Sequence, residues 1–581
     1  MNERLVRWAG YVGRVLFDGV APILLPLLLL RTVAARILAD PEHTVAAPLY
    51  LSGGDPNGQA WFYWWFHRAT MLGLPVDHPD VVCAPGGIAL GVNFATRVDA
   101  WLALPFFHFL PFPQSFNAVA MAVPAVNAWC GWLALRAMRS SPAVALTGGL
   151  VLGFSDYALF EVSLGHNANA LVGPVLLLLG AWSAVAEGRW GWAPVAAAAG
   201  VVTIFAYPPY AVAMLPVAAA FGLVGLATRK QERRAILGGA LGVAAIIGLA
   251  ALRRASELRT LGFANQGKNA LRDSWSTLMA DSLSWEWLAR ADSGFNDHHT
   301  WIAPALLVGA ALAALFGGRR PWGWLAAGAW FWLLSLGVVL LERDGEEIQE
   351  LRAGGRAFAL PLGWAIKAWP TLVGLRPYRF APLVGGALVF AVASAARSPD
   401  HTVGWVRRLL PPLVAAGVFA TVLWATLSAG RLRFTTQPWR VSPAVLWLAE
   451  QPGDFAIAEL PSGSGHAAAA LQVVHEKRRS EGHHDVHPEV KHPPTQCYTT
   501  SLSRALWVLD RGGALPEDMS PVVSEAVSVG YRYIVVYREA YGKQGVERDK
   551  RLRGLFAALR ARFGAPVQDD REVAIFEVGA G

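Results

Sequence analysis

Residues 207–252 read YPPYAVAMLPVAAAFGLVGLATRKQERRAILGGALGVAAIIGLAAL. Two apolar runs, 207–227 and 235–252, flank a short basic connection at 229–234. About 20 apolar residues are enough to cross a hydrocarbon core about 30 Å thick as a helix. Positive side chains in short loops mark the cytoplasmic side of a membrane. This stretch therefore predicts two membrane-spanning helices joined by a cytoplasmic turn.

The composition extends this interpretation to the whole chain. Of 581 residues, 54% are hydrophobic and 16% are charged, and the mean hydropathy is +0.36. A soluble globular protein carries about 25% charged residues, so the composition excludes a water-soluble enzyme and a disordered chain. The 3 cysteines predict no disulfide scaffold. The predicted fold class is a polytopic α-helical membrane protein.

Similar apolar segments recur along the chain and predict about 11 spans, with a range of about 11–13. The segment 98–113 contains prolines at 105, 111 and 113, so we predict a short re-entrant or interfacial helix there. The predicted spans are 15–37, 117–136, 142–161, 168–186, 190–206, 207–227, 235–252, 300–316, 321–341, 380–396 and 407–428.

Arginines and lysines in the short connections set the predicted orientation. The N-terminus is cytoplasmic, and the chain is a multi-pass protein of the cell (inner) membrane. A membrane domain, 1–430, precedes an extracytoplasmic domain, 431–581. The polar segments on the outer side are 38–97, 253–299, 342–379 and 430–581.

The last of these segments has the pattern of a small α/β domain. Runs rich in β-branched and aromatic residues at 455–460, 531–537 and 573–578 predict strands. Residues 546–563 alternate Arg with Leu and Ala and predict an amphipathic helix. No nucleophile arrangement is recognisable there, so the predicted role is scaffold or acceptor binding.

The first outer segment contains a helix start, Gly53-Gly54-Asp55-Pro56-Asn57-Gly58, followed by an aromatic run at 59–68. Asp suits the N-cap and Pro the first helical position. Because Trp and Tyr favour the headgroup level, we predict a helix along the outer membrane interface, with Trp61 binding substrate. Asp55 is interpreted either as a helix cap alone or as a general base at the membrane surface.

A second polar group lies at the outer end of span 142–161. It comprises Ser155-Asp156-Tyr157, Glu161 and Gly165-His166-Asn167-Ala168-Asn169. Capping and solvation explain the asparagines. The functional alternative makes His166 catalytic and Asn167 and Asp156 substrate ligands, because ionisable residues near membrane depth are costly and usually functional. Asp156 and Glu161 are the weaker candidates.

Two arginines end the 342–379 segment, in Leu375-Arg376-Pro377-Tyr378-Arg379-Phe380. They lie on the predicted outer face, against the positive-inside trend. Arg376 and Arg379 therefore either bind an anionic lipid headgroup bidentately or extend to the headgroup level from a helix end.

The remaining polar patterns predict no cofactor. Histidines at 475, 483, 484, 487 and 492, with Glu476 and Asp485, lack the paired spacing of a zinc site, and a solvated loop is the preferred interpretation. We predict no metal ligands, although a divalent metal requirement stays open. No phosphate-binding glycine loop is present. Cytoplasmic arginines account for most of the net charge of +8, so no nucleic-acid partner is predicted.

Taken together, these motifs resemble the GT-C superfamily of membrane glycosyltransferases. The resemblance rests on Asp55 in a large first outer loop, the aromatic helix, the proline-rich short segment, Gly-His-Asn-x-Asn at 165–169 and Arg-x-x-Arg-Phe at 376–380. It is closest to a bacterial branch with a C-terminal outer domain, which the tail resembles at 458–461, 474–478 and 530–536. A GT-C-like fold is therefore expected.

The resemblance implies a polyprenyl-phosphate-linked sugar donor and an inverting transfer to a glycan, lipid or protein acceptor. Asp55 would be the catalytic base, and His166 and Asn167 would lie near the donor phosphate or the acceptor. Arg376 and Arg379 would neutralise the departing lipid phosphate. Many members carry a second acidic residue, for which Asp156 or Asp80 would have to serve, and Ala84 replaces the usual aromatic residue.

Two other functions stay open at this point. A transporter or flippase for lipid-linked glycans would also explain the spans and the outer arginines. It predicts internal repeats and charges at mid-membrane, and the sequence contains no convincing repeat. A non-catalytic protein that only binds a lipid-linked glycan is the third interpretation.

Overall fold

The computed structural model describes residues 19–47, 55–87, 98–260, 294–295, 298–299, 302–337, 362, 377–396, 405–428, 436–462, 468–481, 497–542 and 545–579. Long helices fill most of the described chain as far as residue 428, and a mixed α/β unit follows. Both parts agree with the fold class predicted from the sequence.

The first part contains sixteen described α-helices, most of them apolar. In chain order they are α1 (Ala21–Val33), α2 (Ala35–Ala39), α3 (Asp55–Leu72), α4 (Val98–Phe109), α5 (Gln114–Ala137), α6 (Pro142–Gly153), α7 (Asp156–Ser163), α8 (Asn167–Ala170), α9 (Gly173–Ala186), α10 (Ala193–Ala206), α11 (Pro208–Thr228), α12 (Arg233–Thr260), α13 (Pro304–Phe316), α14 (Arg320–Ser335), α15 (Ala381–Ala395) and α16 (Trp405–Ser428).

Among the described residues, 7 helical segments are long and apolar enough to cross a membrane. They coincide with the predicted spans 117–136, 142–161, 168–186, 207–227, 235–252, 380–396 and 407–428. In the segment that contains α12, only 11% of the apolar window is buried within the protein, and Leu241 and Leu249 point outward. Outward apolar side chains on such a helix are those that face lipid.

The other predicted spans form shorter apolar helices. They are α1, α10, α13 and α14, of 13, 14, 13 and 16 residues. The short segment predicted at 98–113 is α4, which has 12 residues and contains Pro105. A short helix was expected there, and the structure confirms it.

The second part is built on a sheet of five strands. They are β5 (Ala456–Leu460), β6 (Arg478–Arg479), β7 (Tyr531–Tyr537), β8 (Gln568–Asp569) and β9 (Val573–Glu577), in the order β6-β5-β7-β9-β8. The helices of this part are α17 (Pro443–Glu450), α18 (Ala469–His475), α19 (Ser501–Asp510), α20 (Ser520–Ser528) and α21 (Val546–Phe563). The three predicted strands and the amphipathic helix are confirmed as β5, β7, β9 and α21.

A buried ion pair crosses the interior of this unit. Arg479 Nε lies 2.5 Å from Glu459 Oε2, and the Tyr537 hydroxyl donates to the other carboxylate oxygen at 2.9 Å. Burial raises the pKa of Glu459, and the guanidinium opposes that rise. Because Glu459 accepts a hydrogen bond from each of the other two groups, the buried carboxylate is paired.

The first outer segment is joined to the α/β unit through backbone pairing. Residues 81–84 run along β6: Arg479 N–H donates to Val81 O at 2.9 Å, and Ala84 N–H donates to Arg479 O at 2.8 Å. A second link pairs β1 (Thr44–Val45) with β4 (Gln437–Pro438). The segment thus extends the edge of the sheet and covers backbone groups that would otherwise be unpaired.

A disulfide bond between Cys83 and Cys497 reinforces this junction. The expectation that three cysteines form no staple was wrong, because the two residues are 414 positions apart in sequence and the junction brings their Cα atoms to 4.3 Å. Disulfides persist in oxidising compartments, which agrees with the predicted outer location of both segments.

The aromatic helix α3 differs from the prediction of an interfacial helix. Trp61, Tyr63 and Trp65 are each at most 1% exposed, and the aromatic run packs against α4, α5 and the α/β unit. The Trp61 indole N–H donates to Gln472 Oε1 at 2.7 Å. The aromatic residues are buried between two parts of the protein because the α/β unit covers the face that was expected to meet lipid headgroups.

We predict that Cys83→Ser lowers the stability of the α/β unit by about 2–4 kcal/mol, the usual contribution of a disulfide. The measurement is thermal or denaturant unfolding of the purified chain with and without reductant. Cys130→Ser is the matched control, since Cys130 is a buried free thiol. Equal stability of the wild type before and after reduction would contradict the prediction.

Candidate functional site

The start of α3 lies directly on the turn that follows α7. Gly165 has φ +78°, and a Cβ atom at that position would be 2.9 Å from Pro56 Cβ. Only glycine allows both the left-handed backbone and this approach. Asp55 is the first residue of α3, and its side chain lies outside the described part. The backbone of Asp55, the predicted base, therefore lies beside the turn that contains Gly165 and His166.

A buried carboxylate orients the histidine of this turn. His166 Nδ1 lies 3.0 Å from Glu161 Oε2, and the Asn169 amide donates to the same oxygen at 3.3 Å. Glu161 is 0% exposed and the His166 side chain 20%. The carboxylate thus fixes the orientation of the imidazole ring. Glu161, a weaker candidate from sequence, thus becomes the partner that fixes His166.

Arg379 is held among tyrosine side chains. Its guanidinium lies over the rings of Tyr207 and Tyr378, 5.1 and 5.7 Å from their centroids, and its Nε donates to the Tyr378 hydroxyl at 3.3 Å. The Tyr210 hydroxyl donates to the Arg379 carbonyl at 2.9 Å. The Tyr207 hydroxyl is buried and has no hydrogen-bond partner among the described residues. The cluster offers a cation and a hydroxyl donor to an anion.

Tyr157 connects this cluster to the histidine turn. It lies one helical turn before Glu161 on α7, so the two share a helix face. Tyr157 is within electrostatic reach of both Glu161 and Arg379, and its ring packs against Tyr378 with centroids 6.5 Å apart. His166, Glu161 and Arg379 therefore belong to one continuous polar cluster.

Asn167 belongs to a second set of contacts on the same turn. It is 0% exposed, and its amide lies near the Tyr63 hydroxyl of α3. That hydroxyl donates to Asp99 Oδ2 at 2.9 Å, and the Gln59 amide donates to the same oxygen at 2.5 Å. Burial raises the pKa of Asp99 to about 6. Because the folded-state pKa is raised, the stability that Asp99 contributes is lost as pH rises through about 6.

The other predicted site residues lie elsewhere. Asp156 borders an apolar groove between α6, α9, α13, α15 and α16, and Trp61 is enclosed at the junction with the α/β unit. Asp80 is exposed. Arg376 lies outside the described residues. Of the predicted residues, the structure thus brings together His166, Asn167, Arg379 and the backbone of Asp55.

The described residues contain no group of three or more His, Cys, Asp or Glu side chains arranged for a metal ion. His475, the first member of the histidine run, is buried, and its Nδ1 accepts a hydrogen bond from Lys477 N–H at 3.0 Å. Burial and the neighbouring Arg479 lower the pKa of His475 to about 3, so it is a neutral core residue. The other histidines of the run lie outside the described part.

Sequence reasoning did not identify Asp99 or the tyrosines at 63, 157, 207 and 210 as site residues. Asp99 carried a detectable signal, since it is an acidic residue in an apolar helix of 12 residues. The tyrosines carried none, because aromatic residues are common in membrane helices. Only their positions in space distinguish them, beside Asp99 for Tyr63 and around Arg379 for the others.

Comparisons with known proteins give structural similarity only. No family model and no curated protein sequence matches the chain. The Archaeoglobus fulgidus oligosaccharyltransferase, solved in complex with Zn and sulfate, matches with a TM-score of 0.40 and 11% identity over 88% of this chain and 66% of its own length. The chain thus spans slightly less than two thirds of that protein.

Two further solved structures cover nearly the whole chain. ArnT from Cupriavidus metallidurans, bound to undecaprenyl phosphate, matches with a TM-score of 0.43 and 13% identity over 98% of both chains. The arabinofuranosyltransferase AftD from Mycobacteria matches with a TM-score of 0.44 and 14% identity over 98% of this chain and 42% of its own length.

We predict that Gly165→Ala displaces the start of α3 and lowers the unfolding midpoint. The added Cβ overpacks against Pro56 and strains a positive φ, which together destabilise by about 2–4 kcal/mol. Gly73→Ala is the matched control, because Gly73 has φ +68° but no heavy atom within 4 Å of the added Cβ. Thermal unfolding of both variants separates the two effects, and equal losses would contradict the proposed contact.

Proposed function

We propose that this chain transfers a sugar from a polyprenyl-phosphate donor to an acceptor hydroxyl or amide at the outer face of the membrane. The observation that carries the proposal is the single polar cluster formed by His166, Glu161, Tyr157 and Arg379 at the place where α3 begins with Asp55. A cation for a phosphate and a carboxylate for a proton are the two groups that such a transfer requires.

The Arg379 end of the cluster suits the donor phosphate. A guanidinium binds phosphate oxygens through parallel N–H bonds, and the unpartnered Tyr207 hydroxyl can donate a further one. The phosphate group of a lipid-linked sugar is an anion that matches these two donors.

The Asp55 end suits the acceptor. In the proposed step the acceptor oxygen or nitrogen attacks the anomeric carbon, and its proton passes to the Asp55 carboxylate. The bond between the anomeric carbon and the phosphate oxygen breaks with its electron pair on the phosphate, which Arg379 stabilises. Attack opposite the leaving group inverts the anomeric configuration. His166, oriented by Glu161, lies near the donor between the two ends.

The ArnT structure, solved with undecaprenyl phosphate, makes that lipid a suitable probe. The absence of any described metal cluster leaves the metal requirement of the proposed step to experiment. A protein that bound the lipid-linked sugar without transferring it would keep the Arg379 contacts, and transfer assays separate that alternative from catalysis.

We predict that Asp55→Asn abolishes sugar transfer from polyprenyl-phosphate donors, because loss of a general base costs about 10²- to 10⁴-fold in rate. Membranes containing the variant are supplied with labelled donors, and product formation is followed. Asp40→Asn is the control, since Asp40 is an exposed carboxylate of the same outer segment that contacts only His43 among the described residues. Full activity of Asp55→Asn would remove Asp55 as the base.

For the donor phosphate, we predict that Arg379→Ala weakens undecaprenyl phosphate binding by about 10- to 100-fold, the value of a charge-assisted hydrogen bond. Native mass spectrometry of the purified chain measures the affinity, and undecaprenol, which has no phosphate, is the ligand control. Arg511→Ala, which removes a guanidinium stacked 3.9 Å over Trp507 in the α/β unit, is the protein control. Unchanged affinity in Arg379→Ala would leave only a structural role for that arginine.

A further inference from the structure

Asp99 is a buried carboxylate that none of the proposed steps uses. Its Oδ2 atom accepts hydrogen bonds from Gln59 and Tyr63, at 2.5 and 2.9 Å. These donors occupy the positions four and eight residues after Asp55, so all three positions lie along one face of α3. Asp99, on α4, therefore binds two successive turns of α3, the helix that begins with the proposed base.

The same contacts reach the opposite wall of the site. Tyr63 hydroxyl lies near the Asn167 amide, and neither amide atom has a closer hydrogen-bond partner among the described residues. α8, which contains Asn167, has only 4 residues and cannot hold itself in place. Asn127 holds its far end by bonding to Ala170 O and Gly173 N–H, each at 2.7 Å. At the near end, Tyr63 lies beside Asn167, and the Glu161 carboxylate contacts His166 and Asn169.

Asp99 is 1% exposed, and burial raises its pKa. Hydrogen bonds from Gln59, Tyr63 and the backbone N–H groups at the start of α4 oppose that rise. The carboxylate therefore joins α3 to the first turn of α4.

We propose that Asp99 is a positioning residue: through Gln59 and Tyr63 it fixes the helix that begins at Asp55 against the turn that carries His166 and Asn167. The proposal rests on the proposed transfer for its catalytic consequence and on geometry alone for its structural one. The proposed base and the donor-binding histidine lie on separate chain segments, so their relative position must be fixed by contacts between those segments. A misplacement of about 1 Å can reduce the rate about 100-fold.

The structural test is hydrogen–deuterium exchange of the purified full chain in detergent. Tyr63→Phe is expected to increase amide exchange at 166–170, and Asp99→Ala at both 56–63 and 166–170. Asp99→Asn is expected to restore near wild-type exchange, because one amide oxygen can accept from both donors. If Asp99→Ala does not fold, Gln59→Ala replaces it and is expected to increase exchange at 56–63.

Tyr537→Phe is the matched control, because it removes a hydroxyl from another buried tyrosine–carboxylate pair, with Glu459, inside the α/β unit. It is expected to leave exchange at 166–170 unchanged. Unchanged exchange at 166–170 in Tyr63→Phe, or an Asp99→Asn variant as mobile as Asp99→Ala, would overturn the proposal.

The catalytic test compares turnover with donor KM. Tyr63→Phe and Asp99→Ala are expected to lower kcat about 10-fold with donor KM unchanged, and Asp99→Asn to stay within about 3-fold of wild type. A loss confined to KM would overturn a positioning role. If the wild type transfers no sugar, the proposed function fails, and the exchange measurements still decide whether Asp99 fixes the two segments.

Discussion

The contact between Gly165 and Pro56 is the constraint on which the candidate site depends. It joins two segments more than a hundred residues apart, and it leaves no room for a side chain at position 165. Because α3 begins at this contact, the backbone of Asp55 and the histidine turn occupy one place. On one side of this contact, Glu161 binds His166 within the turn. On the other side, Gln59 and Tyr63 of α3 bind Asp99.

A second level of organisation surrounds it. The α/β unit covers α3 through Gln472, whose side-chain amide donates to Val81 O at 2.8 Å while its oxygen accepts from Trp61. The helix that carries Asp55 is therefore packed between the membrane helices and the α/β unit. The role predicted for the C-terminal part, scaffold or acceptor binding, stays a prediction.

Sequence patterns predicted the helices better than the site. Runs such as 207–227 and 235–252 are recognisable because a bilayer imposes about 20 apolar residues on every span. Arg379 was singled out because a cation on the predicted outer side departs from a known bias. Asp99 depends on partners from another segment, Gln59 and Tyr63, and no local pattern encodes such a pairing.

The errors have a common physical origin. The aromatic run of α3 has the composition of an interfacial helix, and composition does not distinguish lipid headgroups from a protein surface that covers the same side chains. The cysteines were too few for a scaffold, yet two of them meet because residues 81–84 join the edge of a sheet formed by the other end of the chain. In both cases the missing information was the docking of the α/β unit.

The separation of Cys83 and Cys497 also sets an order of events during biosynthesis. A ribosome makes Cys497 414 residues after Cys83, so the first thiol must wait while the described helices from α4 to α16 are synthesised. The bond can close only when both ends have reached the same compartment. Closure therefore requires that both segments lie on the same side of the membrane, and a chain inserted with an odd number of crossings between them would keep the two thiols apart.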